Sequence, residues 1–173
     1  MDPQVFFFIK VVVRIALLAG AALLVVWFYV RLTRKPVPAV ESEGNKLLLT
    51  LRLQAYERTV LLLERITPGN LVLRIQSPDM NAIQLQAALI RAIREEFEYN
   101  LSQQLYISVF AWELVKNAKE ETIKLINLAA GKVPENAPSA EVIRILLEMV
   151  LEKDKLPVQL AIEQLKKEVQ QYF

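Results

Sequence analysis

The sequence predicts an all-α chain: one N-terminal transmembrane helix, then a soluble domain of four main helices arranged as hairpins or a bundle. Three observations carry this. From Val5 to Val30 only Lys10 and Arg14 are charged. Downstream, apolar residues recur at spacings of three and four through almost every stretch, and no alternating segment finds a partner strand. Glycine is scarce at 4 residues, fewer than all-β or glycine-rich nucleotide-binding architectures usually need, while Ala, Leu, Glu, Gln and Lys, all good helix formers, dominate.

The anchor is expected over residues 1–35. Ile15 to Val30 is uncharged, about 24 Å as a helix. A bilayer core is about 30 Å thick and takes roughly 20 residues. Extending back through Val11–Val13 supplies the difference, so the span is drawn from Val5 to Leu32. Lys10 and Arg14 then lie near the outer edge and can snorkel toward head groups. Trp27, Tyr29 and Phe6–Phe8 sit where interfacial aromatics belong. Pro36 and Pro38 stop the helix. A cleaved signal peptide is the competing reading, but the apolar run is long, and its small residues, Ala19–Ala22, lie inside it rather than after it. Arg31, Arg34 and Lys35 follow the span directly, which places the C-terminal domain on the cytoplasmic side. Lys10 and Arg14, four apart, share a helix face. Either they snorkel or they meet an acidic group in a larger complex. Ala16 and Gly20 make a small-xxx-small pair that permits close helix packing.

Residues 36–45, PVPAVESEGN, read as a linker, and 46–173 as the helical domain. A long helix begins near Lys46. Its apolar residues form two stripes: Leu49, Leu53, Tyr56, Val60 and Leu63, and beside them Leu48, Leu51, Ala55, Thr59, Leu62 and Ile66. A helix apolar over so wide an arc touches two neighbours, in its own domain or in another subunit. Thr67-Pro68-Gly69-Asn70 breaks it, and Leu71–Ile75 forms a short helix with Thr67 as cap and Pro68 in its first turn. Ser77-Pro78-Asp79 opens the next helix, where Leu85, Leu89, Ile93, Phe97, Leu101 and Leu105 recur at every fourth position. After a turn or kink at Tyr106–Ser108, Ala111, Val115, Ala118, Thr122, Leu125 and Ala129 form a heptad seam with small residues, suited to close helix contact. Gly131 caps it. Ser139 caps a helix to about Lys153, with Glu141 in its first turn. The last helix carries Val158, Ile162, Leu165, Val169 and Tyr172.

Composition narrows function. The chain has 173 residues, no Cys and no His, which removes thiol chemistry, the commonest general base and the commonest metal ligand. No P-loop, GxSxG, HExxH or GxGxxG occurs. Residues 1–35 carry five basic residues against one acidic, and 36–173 carry 16 against 18. The net charge of +2 therefore reflects the anchor and does not point to nucleic acid. Glu95, Glu96 and Glu98 read as a solvated face beside Arg91 and Arg94, and Glu120–Lys124 as a surface pair. Asn100-Leu101-Ser102 is a formal glycosylation sequon inside a helix and is discounted. No catalytic, cofactor or metal residue is expected. Tyr106, Phe110 and Trp112 gather aromatics beside a helix break. They form either a partner-binding surface or a plug for the core where two helices turn.

The order of an N-terminal span, LRLQAYERTVLLLERITPGNL, LQAALIRAIREEFEYNLSQQLYIS and AWELVKNAKEETIKLINLAA resembles an uncharacterised family of small bacterial membrane-anchored helical proteins, over most of residues 5–130. The resemblance implies a bacterial inner-membrane setting and brings no activity. The expected function is that of a non-enzymatic scaffold or interaction protein. It would sit in a lipid bilayer and bind a protein partner or further copies of itself through Lys10, Arg14, Ala16, Gly20, Tyr106, Phe110 and Trp112. The alternative is an accessory subunit of a membrane enzyme, transporter or secretion machine, held through its span.

Overall fold

The computed structural model describes residues 19–31 and 39–172, with 39–42 known by backbone alone. The chain divides into two units between Lys46 and Leu47. In the first, residues 19–31 form a helix, α1, whose side chains are exposed; the Arg31 guanidinium lies 5.1 Å from the Trp27 ring centre. At 1.5 Å per residue α1 is about 20 Å long, against the roughly 30 Å of a bilayer core. Among the described residues no helix is long and apolar enough to cross a membrane. The described residues are all-helical, and the transmembrane helix expected as part of the fold is not found among them. The rest of the expected span, residues 5–18 and Leu32, lies outside the described residues.

α2 runs from Ala39 to Ile66 and so begins within the stretch whose composition suggests a linker. α3 (Pro68–Ile75), α4 (Ala82–Tyr99), α5 (Val109–Ala130), α6 (Ser139–Leu151) and α7 (Pro157–Val169) follow, with short 3-10 segments at Leu101–Leu105 and Gln170–Tyr172. Of the turn or kink expected at Tyr106–Ser108, the structure has a turn: α4 and α5 are separate helices, and the break begins earlier, at Asn100. Asn100, 4 % exposed, ends the first: its side chain donates to the Glu96 carbonyl at 2.9 Å and its backbone N–H to Phe97. Ser108 opens the second by accepting from the Ala111 N–H at 3.0 Å. The every-fourth stripe holds through Leu85, Leu89, Ile93 and Phe97, all buried. It then fails, with Leu101 44 % and Leu105 77 % exposed. The tighter 3-10 winding rotates these two leucines off the face that the α-helical period assigns to them.

α5 is the axial helix, packing on α4, α6 and α7. Its predicted seam is buried throughout: Ala111, Val115 and Ala118 are fully covered, as is Ala129, and Thr122 and Leu125 nearly so. The small residues let neighbouring backbones approach closely. Thr122 satisfies its own hydroxyl on the Ala118 carbonyl at 2.8 Å, and Thr59 does the same on Ala55. α6 contributes Val142 and Leu146, and α7 Val158, Ile162 and Leu165.

Helix boundaries differ from the sequence reading at three caps. Thr67 makes no cap bond to α3; its hydroxyl donates back to the Leu63 carbonyl at 3.0 Å and closes α2. α4 is capped by Asn81, not by the Ser77–Asp79 turn. Asn81 Oδ1 accepts from the Gln84 N–H at 2.9 Å while Gln84 Oε1 accepts from the Asn81 N–H at 3.1 Å, a reciprocal capping box. Ser139 is the buried first residue of α6, its N–H bonded to the Met80 carbonyl. With Ala82 N–H to Ala137 O at 2.8 Å, this bond pins the loop before α6 to the loop before α4. Gly131 does end α5, but in right-handed geometry (φ −67°).

Candidate interaction surfaces

Four regions of the unit from Leu47 onward present chemistry. The first is a carboxylate hub. Glu168, on α7, accepts from the Tyr56 hydroxyl of α2 at 2.8 Å, from the Ser108 hydroxyl at 2.7 Å and from the Gln164 amide at 2.8 Å. One turn on, the Arg52 guanidinium reaches the Tyr172 hydroxyl at 3.3 Å and sits 5.9 Å from that ring's centre, while Tyr56 and Tyr172 meet edge to face at 6.4 Å. Burial opposes ionisation of Glu168, but the hydrogen bonds from Ser108, Gln164 and Tyr56 outweigh it and hold the carboxyl below its usual range. Burial first, then the bond and charge of Glu168, push the Tyr56 phenol above its usual range. A carboxylate so saturated with donors joins three elements, α2, α5 and α7; it has little capacity left for proton transfer.

The second is a groove of about 500 Å³ between α2, α3 and α4, with Arg58, Arg65 and Arg74 facing Glu95, Glu96 and Tyr99. Arg65 pairs with Glu96 at 2.5 Å, and Arg74 donates to the Arg65 carbonyl in the last turn of α2, where the helix dipole favours a cation. Glu96 thus leaves the simple solvated face assigned to it and ties α4 to α2. The surface pairing on α5 also shifts by one: Glu120 bonds Lys119 and Lys124 bonds Glu121.

The third is a groove of about 500 Å³ between α2 and α7, floored by Leu53, Val60, Leu61, Leu165 and Val169 and rimmed by Glu57 and Lys166. It accounts for the two stripes of α2. The second stripe enters the core at Ala55, Thr59, Leu62 and Ile66. The first is covered only at Tyr56 and Leu63; Leu49, Leu53 and Val60 stay half-buried, and Leu53 and Val60 line the groove. Further toward the N-terminal end Leu47, Leu48 and Leu51 are exposed.

The fourth is the corner between α4 and α5. Leu105, Val109 and Phe110 are 77 %, 80 % and 61 % exposed, with Leu101 and Tyr99 also exposed beside them in the chain.

The residues predicted as partner contacts scatter. Lys10, Arg14 and Ala16 lie outside the described residues. Gly20 is on α1, with open space where a Cβ would stand. Trp112 is core: 6 % exposed and stacked on Phe97 at 5.5 Å, with the Lys119 ammonium 4.5 Å from the Phe97 ring centre. Tyr106 is partly buried against the core, and Phe110 points outward. The break thus splits the aromatics between both readings, one ring plugging the core and one facing solvent. The Tyr56–Ser108–Glu168 hub was missed. Its only sequence signals are the i,i+4 spacing of Gln164 and Glu168 and a serine able to cap a helix. Among the described residues no group of three acidic residues is placed to hold a metal ion.

A family model described as "Family of unknown function (DUF7935)" matches residues 4–172. The match extends through the C-terminal third, beyond the residues 5–130 that carry the resemblance noted from sequence. No curated protein and no solved structure matches the chain.

Proposed function

The chain belongs to this family of unknown function, and we propose that it works as a non-enzymatic helical interaction protein, holding a protein partner rather than transforming a substrate. The observation that carries this is the corner between α4 and α5. Leu105, Val109 and Phe110 lie within six residues of the chain and are largely exposed, on a short 3-10 segment and the first turn of α5. Isolated exposed apolar residues are ordinary on a protein surface, but a contiguous group with an aromatic is the usual core of a binding patch. The corner is held in place by Asn100 on one side and by the Ser108 cap and its bond to Glu168 on the other. A rigid apolar patch binds without first losing much conformational entropy. The same framework leaves the Glu168 carboxylate, which accepts three hydrogen bonds, engaged in structure, which supports a scaffolding role over proton-transfer chemistry.

The test is site-specific photo-crosslinking in the cells that make the protein. A photoreactive residue in place of Phe110 should give one discrete protein adduct, and the same residue in place of exposed Glu135 should give none. Phe110→Asp should abolish capture by a crosslinker placed at Val109. Equal, diffuse labelling from Phe110 and Glu135 refutes a specific partner at this corner.

A further inference from the structure

We infer that the α2–α7 groove is the contact between two copies of this chain, joined by a two-fold axis that runs along the groove. α2 and α7 lie antiparallel, as their paired residues show: Arg52 meets Tyr172, Tyr56 meets Glu168, and Val60 and Leu61 share the groove with Leu165. The floor between them is almost wholly apolar. Its two rims carry opposite charge, Glu57 on the α2 side and Lys166 on the α7 side. Neither takes part in an ion pair among the described residues.

Two face-to-face arrangements close such a groove symmetrically, and the charges choose between them. An axis across the groove at the level of Glu57 and Lys166 lays α2 antiparallel on the partner's α2, so that Glu57 meets its own mate and Lys166 meets its own mate. Like charges repel at a desolvating contact. An axis along the groove lays α2 on the partner's α7. Each Glu57 then faces the partner subunit's Lys166, and the contact forms twice because a two-fold interface is self-complementary.

The experiment is sedimentation velocity on the full chain. The wild type should sediment with twice the chain mass of 19.8 kDa. Glu57→Lys should raise the dissociation constant at least tenfold, and adding Lys166→Glu should restore it, since both positions are exposed and the swap re-forms the pair across the axis. The chain has no cysteine of its own. Oxidising a mixture of Glu57→Cys chains with Lys166→Cys chains should therefore give a mixed disulfide, while either variant alone should give little. A monomeric wild type at 100-fold dilution from about 100 μM and at 100 μM alike overturns the proposal. So does a charge swap that fails to restore the dimer, or a Glu57→Cys chain that links to itself as readily as to Lys166→Cys. The Phe110 crosslink is unaffected by any of these outcomes, so a failure of the groove and a failure of the corner are separable.

Discussion

Replacing Glu168 tests how the three-element hub is held together. Its carboxylate accepts three hydrogen bonds of 2.7–2.8 Å, from Tyr56, Ser108 and Gln164. A bond to an ionised acceptor contributes about 1.5–3 kcal/mol when buried. Here the Ser108 and Gln164 donors reach water once the carboxylate is gone, and the site is only partly buried, so the sum is well below three full bonds. Tyr56 is the donor that suffers most, since its ring is 4 % exposed. Glu168→Ala should therefore cost about 2 kcal/mol in urea unfolding, and Glu168→Gln, which keeps one acceptor oxygen, about 1 kcal/mol. The pH dependence has a definite sign. The folded Glu168 carboxyl titrates below its usual range, so its contribution is complete above the ordinary carboxylate pKa of about 4.3 and is lost as pH falls through the folded value. The stability gap between wild type and Glu168→Gln should be constant near neutrality and should shrink on acidification below about pH 4. At the alkaline end Tyr56, titrating above its usual range, contributes fully below about pH 10 and loses that contribution as pH rises through the folded value, a loss that Tyr56→Phe should remove. A double-mutant cycle between Tyr56→Phe and Glu168→Gln should show a coupling of about 0.5–1.5 kcal/mol. Strict additivity, or a cost of Glu168→Ala under about 0.5 kcal/mol, refutes the hub.

One further outcome follows from the break between α4 and α5, and another from the cap that opens α4. Leu89→Ala should cost about 2–5 kcal/mol in denaturant melts, whereas Leu105→Ala, on the same sequence stripe but 77 % exposed, should change stability by less than about 0.5 kcal/mol. Similar costs for the two would mean that the helix continues through 101–105. Asn81→Ala removes the Oδ1 that accepts from the Gln84 N–H, one of the two bonds of the capping box, and should lower stability by about 1 kcal/mol, with most of the loss recovered by Asn81→Ser and none by Asn81→Val.

Much of the helical domain was legible because its signals are periodic and local. The seam Ala111–Ala129 lies on one face whatever it packs against, since six residues stepping by four and three cannot be anywhere else on a helix. The same holds for Val158, Ile162 and Leu165, and for the proline that starts α3. Lengths and hydropathy alone also suggested a membrane span. Among the described residues the helix at 19–31 is too short for one, because a bilayer sets a length that apolar composition does not.

What tertiary structure decided is where local signals tie. Thr67 can open α3 by accepting from its first N–H groups or close α2 by donating back to it, and its hydroxyl donates to the Leu63 carbonyl. Leu101 and Leu105 fit the α-helical period, but Asn100 and Ser108 reach backbone partners that only a break allows. Glu168, Tyr56 and Ser108 are separated by 112 and 60 residues, a distance over which sequence carries no pairing information. The two stripes of α2 were plain from the residues. Which of them the domain itself would bury, and which it would leave as a groove beside α7, depended on where α7 comes to rest, because a helix pattern specifies that a face must be covered and only packing supplies the cover.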